Sequence, residues 1–416
     1  ACAGLDCILL ERRPLPATLT TPRATGGFRL QFDNREEMEL VSESVELFLG
    51  FNGAHGHDIG IRQQGYLWCT MDEAGIPRQQ GLVEMQHGWG LTDVELLTGD
   101  ETRSRFPWVG ERVLQARFRQ GDGFLDPRAL ALGMLSVSRT PFVAGCEVSE
   151  VVVDSGCVRG VRTNKGEVAC EQVVIAAGPF SGAVAATAGL ELPLYTVRRQ
   201  KLIFANAPFV PQDSPMVIDE ETGAHWRPAL DGAFLLHTDA DEPASPAADP
   251  VPVDHGLHRR LIDPDSPVSI CRVTPFWERA WTDGNLEWDI VAGQYTMTPD
   301  HRPLIGPTDI EGLWLNCGYS GHGVMGSPAC SRLLIDLICG QSPTGGNPLD
   351  PHREFVERDI AITRLERRQG IAVKRWYFRQ MTLQERRVAG HGIDQSLAHI
   401  GRTPGYLDTG FLECRD

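Results

Sequence analysis

The stretch from Val291 to Gly340 constrains the fold of this chain more than any other. Gly312-Leu313-Trp314-Leu315-Asn316-Cys317 is a short apolar run of the kind that forms a buried strand. It feeds directly into Gly318-Tyr319-Ser320-Gly321-His322-Gly323-Val324-Met325-Gly326, a loop with four glycines. Ser327 then suits an N-cap and Pro328 the first helical position, which predicts a helix starting there. Apolar residues at 329, 333, 334, 337 and 338 supply its buried face, and Gly340 can end it. A strand, a glycine loop and a helix start form an anion trap. The backbone can approach a ligand closely, and the helix end offers unpaired N–H donors with a partial positive charge. A plain strand–turn–helix corner would show the same glycine density.

At 416 residues the chain is long enough for two domains with full cores. A formal charge of −16 argues against nucleic acid and gives no general attraction to anionic membranes. No apolar run approaches the roughly 18 residues of a transmembrane segment, and no signal-peptide pattern is present. The 11 cysteines are scattered and none forms Cys-x-x-Cys, which fits reduced thiols in a cytoplasmic protein. His55 and His57 flank a glycine in a polar loop and read as solvated rather than metal-ligating.

Near the start, Asp6-Cys7-Ile8-Leu9-Leu10-Glu11 is an apolar strand ending in an acid. In a dinucleotide-binding fold the second strand ends in such an acid, which bonds ribose hydroxyls. The glycine fingerprint then belongs about 20 residues earlier, ahead of Ala1. On that reading the chain is a fragment, or carries a wrong start, without the first strand and its Gly-x-Gly-x-x-Gly loop. The competing reading makes Glu11 a surface residue after an ordinary strand. Farther on, Gly26-Gly27 reads as a hinge or a close approach, and residues 36–49 show helical periodicity. Residues 142–168 read as a β-meander, and Val173 to Ala176 as a buried strand running into Ala177-Gly178. Residues 194–290 are sheet-rich, with paired strands expected at 224–228 and 233–237, an exposed loop at 239–255, and a helix starting near 273–277. Beyond Asp350 the balance turns basic, with one helix-like run from Phe355 to Arg368.

Tyr295-Thr296-Met297-Thr298-Pro299-Asp300, Pro303-Leu304-Ile305-Gly306-Pro307 and Gly318-Tyr319-Ser320-Gly321-His322-Gly323 occur in that order. This pattern resembles the C-terminal signature of the D-amino-acid oxidase and sarcosine oxidase (glycine oxidase-like) family of FAD enzymes. The likeness runs, more weakly, from Ala1 to about Asp350. It implies an α/β fold in which a truncated Rossmann-like FAD domain (1–58, 124–194 and 291–350) carries a β-rich α+β substrate domain (59–123 and 195–290). Residues 351–416 are a tail of unknown role. By the resemblance, Glu11, Arg12, Val148, Ala177 and Gly178 belong to the dinucleotide side of the cofactor site. Gly26, Gly27, Gly321, His322, Gly323, Val324 and Met325 belong near the flavin ring. Tyr295 and His322 are the leading candidates for positioning and polarising the substrate, and Arg227 for pairing with its carboxylate.

The chain also departs from the family. Where related oxidases carry a carboxylate-binding arginine it has Tyr295, where monomeric sarcosine oxidases place a lysine it has Met325, and where they tether the flavin through cysteine it has Gly293. The FAD is therefore expected to be non-covalent. The expected activity is FAD-dependent oxidation of the C–N bond of an amino acid or a secondary or N-methylated amine to an imine. Oxygen or an electron-accepting partner protein would reoxidise the flavin. The alternatives are a non-catalytic flavoprotein-fold assembly or binding protein, or an inactive fragment of such an oxidoreductase.

Overall fold

The computed structural model describes residues 4–355. Its largest element is a nine-stranded mixed sheet built from Tyr66–Thr70, Glu95–Thr98, Gln115–Arg119, Tyr195–Phe204, Met216–Asp219, Ala224–Ala229, Gly232–His237, Ala244–Ser245 and Asp289–Met297. The hairpin expected near 224–237 forms with Trp226 opposite Leu235 and Arg227 opposite Phe234. The strand that carries Tyr295 runs antiparallel along the long strand Tyr195–Phe204, with Tyr295 opposite Val197.

Strand side chains alternate between faces, and here the two faces differ in kind. Leu67, Cys69, Ala116, Phe118, Leu202, Phe204, Val217, Trp226 and Leu235 point to one side and form the largest apolar core. That core is closed by the segments around Trp277 and by the short Gly256–Ile262 helix. The residue between each pair of these points the other way, which brings Tyr66, Trp68, His225, Arg227, Arg199, Lys201 and Tyr295 onto the opposite face.

A three-stranded antiparallel meander spans Val148–Asp154, Cys157–Thr163 and Gly166–Ala169. Phe142–Ala144, expected within it, instead pairs in parallel with Leu9–Glu11. The pairing is anchored by Leu9 N–H on the Pro141 carbonyl and Cys146 N–H on the Glu11 carbonyl, so the chain must leave that strand before it can start the meander. Val173–Ile175 pairs in parallel with Leu313–Cys317, which in turn pairs with Leu304–Pro307. Leu10 shares a core with Ile175, Leu313 and Leu315, so the first strand and this small sheet pack as neighbours. Leu9 and Val174 are 45% and 42% exposed, which leaves an apolar edge on each.

The helix Arg35–His55 is N-capped by Asn34, whose side chain accepts from Glu37 N–H, and ends on left-handed Gly56. Its buried stripe, Met38, Val41, Val45 and Phe48, repeats at helical spacing. It packs against the helix Gly323–Ile338. No helix among the described residues is long and apolar enough to cross a membrane. The helical run expected from Phe355, and the tail beyond it, lie outside the described residues.

Candidate functional site

The strand Leu313–Cys317 enters the glycine loop as expected, but the helix begins at Gly323 rather than at Ser327, and Pro328 lies inside it. Gly323 and Gly326 do not favour an earlier start by propensity; the first helical bond, Gly326 N–H on the His322 carbonyl at 2.8 Å, sets it. Pro328 has no N–H for the Val324 carbonyl, and the N–H of Ala329, next in sequence, is taken by Ser44 Oγ of the neighbouring helix at 3.2 Å. His322 thus becomes the N-cap, and among the described residues no side chain caps the first turn. The N–H groups of Gly323, Val324 and Met325 have no partner within the helix by its geometry, and they carry the positive end of its dipole.

His322 is held from both ring nitrogens. Nδ1 lies 3.2 Å from Oε1 of Glu37, a buried carboxylate whose other oxygen accepts from the Asn34 amide. A carboxylate only accepts here, so the proton is assigned to Nδ1, which leaves Nε2 to accept from Arg29 Nη2 at 3.4 Å. The Arg29 guanidinium lies 4.7 Å from the Phe32 ring and 5.5 Å from the Trp68 ring, with Nη1 3.8 Å from the Met325 sulfur. Its buried Nε has no hydrogen-bond partner. Among the described residues this arginine is boxed by aromatic faces and soft acceptors and forms no ion pair.

Two tyrosines approach the backbone of the glycine pairs. The Tyr295 ring rests on Gly321, where φ is +97° and any Cβ would strike the ring. The Tyr66 hydroxyl rests on Gly27 in the same way. Both hydroxyls are pushed above the ordinary tyrosine range by burial, opposed in each case by Arg29. The Arg199 guanidinium sits 5.5 Å from the Tyr295 ring. His225 gives Nδ1–H to the Gly223 carbonyl at 2.9 Å. Burial, aided by the nearby His237, Arg199 and Arg29, lowers its pKa to about 4, so the ring is neutral with a free Nε2.

Arg227 stands elsewhere than against an open site. It is buried between Phe124 and Phe234 and gives Nε–H to the Thr25 carbonyl at 2.7 Å and Nη1–H to the Pro228 carbonyl at 2.8 Å. Lys201 gives Nζ–H to the carbonyls of Pro22 and Ala24, each at 3.1 Å. Burial lowers the pKa of the arginine to about 10 and of the lysine to about 8. Together these two cations tie the segment that leads into Gly26-Gly27 to the large sheet.

The remaining sequence candidates form two groups. Glu11 accepts from Arg13 N–H at 2.9 Å, and Arg12 lies 4.0 Å over the Phe180 ring, just past Ala177-Gly178, and pairs with Asp249. Val148 packs in the same core as Ile175. Gly26, Gly27, Gly321, His322 and Gly323 gather instead around Arg29 and the two tyrosines. Val324 and Met325 close that group from below, Met325 at 5% exposure within the Phe28 and Phe48 core. These residues fit a flavin: an uncapped helix start, an orphaned guanidinium nitrogen, and bare backbone at Gly323, with Gly27 and Gly321 covered by the tyrosines.

Sequence reasoning passed over Arg29, Glu37, Trp68, Arg199 and His225. For His225 the signal was the alternation of apolar and polar positions along its strand; the other four are brought to the site by the fold.

The comparisons agree with this geometry. The family model described as FAD dependent oxidoreductase matches residues 1–337. A glycine oxidase of Pseudomonas aeruginosa is 32% identical over 69% of this chain and 74% of its own length. A glycine oxidase of Pseudomonas putida is 30% identical over 52% of this chain, and the match spans 54% of that protein, about half its length. Among solved structures, L-proline dehydrogenase from P. horikoshii superposes with a TM-score of 0.72 at 24% identity, over 85% of this chain and 92% of that one. Glycine oxidase from Bacillus cereus gives 0.70 at 21% identity, over 85% and 94%. The fold is that of FAD-dependent amino-acid oxidases, mixed α/β with several sheets. This chain belongs to the DAO family of FAD-dependent oxidoreductases.

Proposed function

We propose that the protein binds FAD non-covalently and oxidises the C–N bond of an amino acid or a secondary amine to an imine, which water then hydrolyses. The observation that carries this reading is the convergence of Arg29, His322, Tyr295, Tyr66 and His225 between the uncapped start of the Gly323–Ile338 helix and the polar face of the large sheet. FAD, when bound, supplies the two-electron acceptor. The chain supplies the rest. Arg29 offers unpaired donors for a carboxylate, and the uncapped helix start favours negative charge on the neighbouring ring system. His225 Nε2, held neutral, can accept an N–H of the substrate amine and favours its uncharged form. Tyr295 and Trp68 wall the site and exclude water.

Gly293, where a cysteine tether would be expected, lies against Arg23 and Thr20, which supports a non-covalent cofactor. The grouping of Glu11, Arg12, Val148, Ala177 and Gly178 supports a cofactor domain from the segments 1–58, 124–194 and 291–350. The full chain, reconstituted with FAD, should show a bound-flavin spectrum that bleaches anaerobically with an amine substrate. Release of the flavin on acid or heat denaturation would accompany that result. A bound flavin that no amino acid or secondary amine bleaches would overturn the catalytic reading and leave a binding protein. Recovery of the oxidised spectrum on admitting air would identify oxygen as acceptor, and failure to recover would point to a partner protein.

A further inference from the structure

Arg29 and Arg199 share an unusual position. Among the described residues neither forms an ion pair, and each has a buried Nε without a hydrogen-bond partner. The acids close to them are engaged elsewhere: Glu37 with His322, Glu242 with Arg198 at 2.8 Å, and Asp239 with the Asp241 N–H. Leaving a buried guanidinium donor unpaired is costly unless a ligand supplies the anion. Both arginines border Tyr295. Arg199 lies 5.5 Å from its ring, and both guanidiniums work against the burial that raises its hydroxyl pKa.

The two come from different directions. Arg29 is deep, beside His322 and the helix start. Arg199 lies on the long strand Tyr195–Phe204 and lines a small rim cleft with Arg198, His237 and Arg260 and with the acids Asp239 and Glu242. Lys201 and Arg227 lie on the same sheet face, bond backbone carbonyls and form no ion pair among the described residues, although Asp126 stands near both. A locally positive face on a chain of net charge −16 marks an anion site. A single carboxylate would satisfy one of the two arginines and leave the other orphaned.

We propose that the substrate is an amine with two carboxylates, a dicarboxylic amino acid or an N-(carboxyalkyl) amino acid, with one carboxylate held by Arg29 and the second by Arg199 at the rim. The word substrate rests on the amine-oxidising reading above, while recognition of the dianion stands apart from it and is tested apart.

The test uses unreactive dianions on the FAD-reconstituted full chain. Oxydiacetate and glutarate are titrated against methoxyacetate and butyrate, followed by calorimetry and by the change in flavin absorbance. The dianions should bind at least about 10-fold more tightly than the matched monoanions, the weight of one charge-assisted contact. Arg199→Gln should remove that preference, a loss of roughly 10- to 100-fold for dianions, with monoanion affinity nearly unchanged. Arg199→Lys, with the charge kept and the fork lost, should fall between. Thermal midpoints within a few degrees of the parent would exclude a folding defect. Equal binding of mono- and dianions, or a preference that survives Arg199→Gln, would overturn the proposal even if monocarboxylic amines bleach the flavin. Dianion preference lost with Arg199 would sustain it even if no amine bleaches the flavin, in which case the catalytic reading alone falls.

Discussion

The two faces of the nine-stranded sheet come from the same strands and obey opposite rules. On one, Leu67, Val217, Trp226 and Leu235 are fully buried, and the one polar side-chain atom of these four, the indole nitrogen of Trp226, is satisfied by Thr274 Oγ1 at 3.0 Å. On that side the Trp277 indole nitrogen and Asp219 Oδ2 are left without a hydrogen bond among the described residues. On the other, one residue along each strand, stand Trp68, Arg117, His225 and Arg227, and among the described residues buried donors are left unpaired at Trp68, Arg117 and Arg199, and at Arg29 packed against that face. A stable core satisfies its polar groups. A face that leaves several unpaired, while lying against a helix start, is arranged for something that arrives. Adjacent residues on one strand can therefore be assigned to stability and to function by parity.

Trp226→Ala tests the stability side and should have the largest effect. The ring packs edge-on against Trp108, Phe276 and Trp277 with centroids 5.3 to 5.7 Å away. Its removal should cost about 3–5 kcal/mol, read as a fall in thermal midpoint, with flavin affinity retained in the protein that remains folded. A variant that melts like the parent but loses flavin would reverse the assignment of faces.

His225, its neighbour, should show in pH dependence. Folding holds its pKa at about 4, against 6.5 for an ordinary imidazole. As pH falls from 6.5 towards 4 the unfolded chain takes up the proton first, so the stability this residue contributes is present above 6.5 and is lost across that window. The loss is on the order of 3 kcal/mol at most, less to the extent that solvent reaches the half-buried ring. Urea unfolding at several pH values should give a steeper acid decline for the parent than for His225→Gln. Parallel curves would show that the ring titrates normally.

Arg227→Met separates clamp from ligand. The Thr25 carbonyl would lose its donor, which costs about 1–3 kcal/mol for a buried group. Because that carbonyl leads into Gly26-Gly27, the loss should appear as flavin affinity weakened by roughly 10- to 100-fold in a fluorescence titration. Unchanged flavin affinity with a raised KM would instead place Arg227 on the substrate carboxylate.

The sequence carried the strand and glycine loop at 312–326, the meander after Val148, and the hairpin at 224–237, because each is a local pattern with its own turn chemistry. It misplaced the helix start, because Ser327-Pro328 is a strong local signal that the backbone bond from Gly326 N–H to the His322 carbonyl overrides. It missed the parallel pairing of Leu9–Glu11 with Phe142–Ala144, because no local signal links strands so far apart. Tyr295 was named by the family resemblance and His322 by its place in the glycine loop, and the fold sets Tyr295 against Gly321, next to His322. Arg29 was not, because only the fold brings Trp68 and His322 to either side of it. Glu37 looked like part of the solvated face of its helix, yet it is 4% exposed.

That buried carboxylate supports the smallest prediction. Glu37 touches His322 Nδ1, and through it fixes which nitrogen faces Arg29. The substitution Glu37→Gln keeps the hydrogen-bonding shape but loses the charge that favours a donor at Nδ1. It should slow flavin reduction by roughly 3- to 10-fold, the weight of one charged hydrogen bond made neutral, with KM little changed. The effect should pass through the histidine, so Glu37→Gln added to His322→Asn should do nothing beyond His322→Asn alone. Glu37 also receives the Asn34 amide at the start of its helix, and a merely structural role there would act whatever stands at 322. An equal loss in both backgrounds would therefore assign Glu37 to the helix cap and remove it from the site.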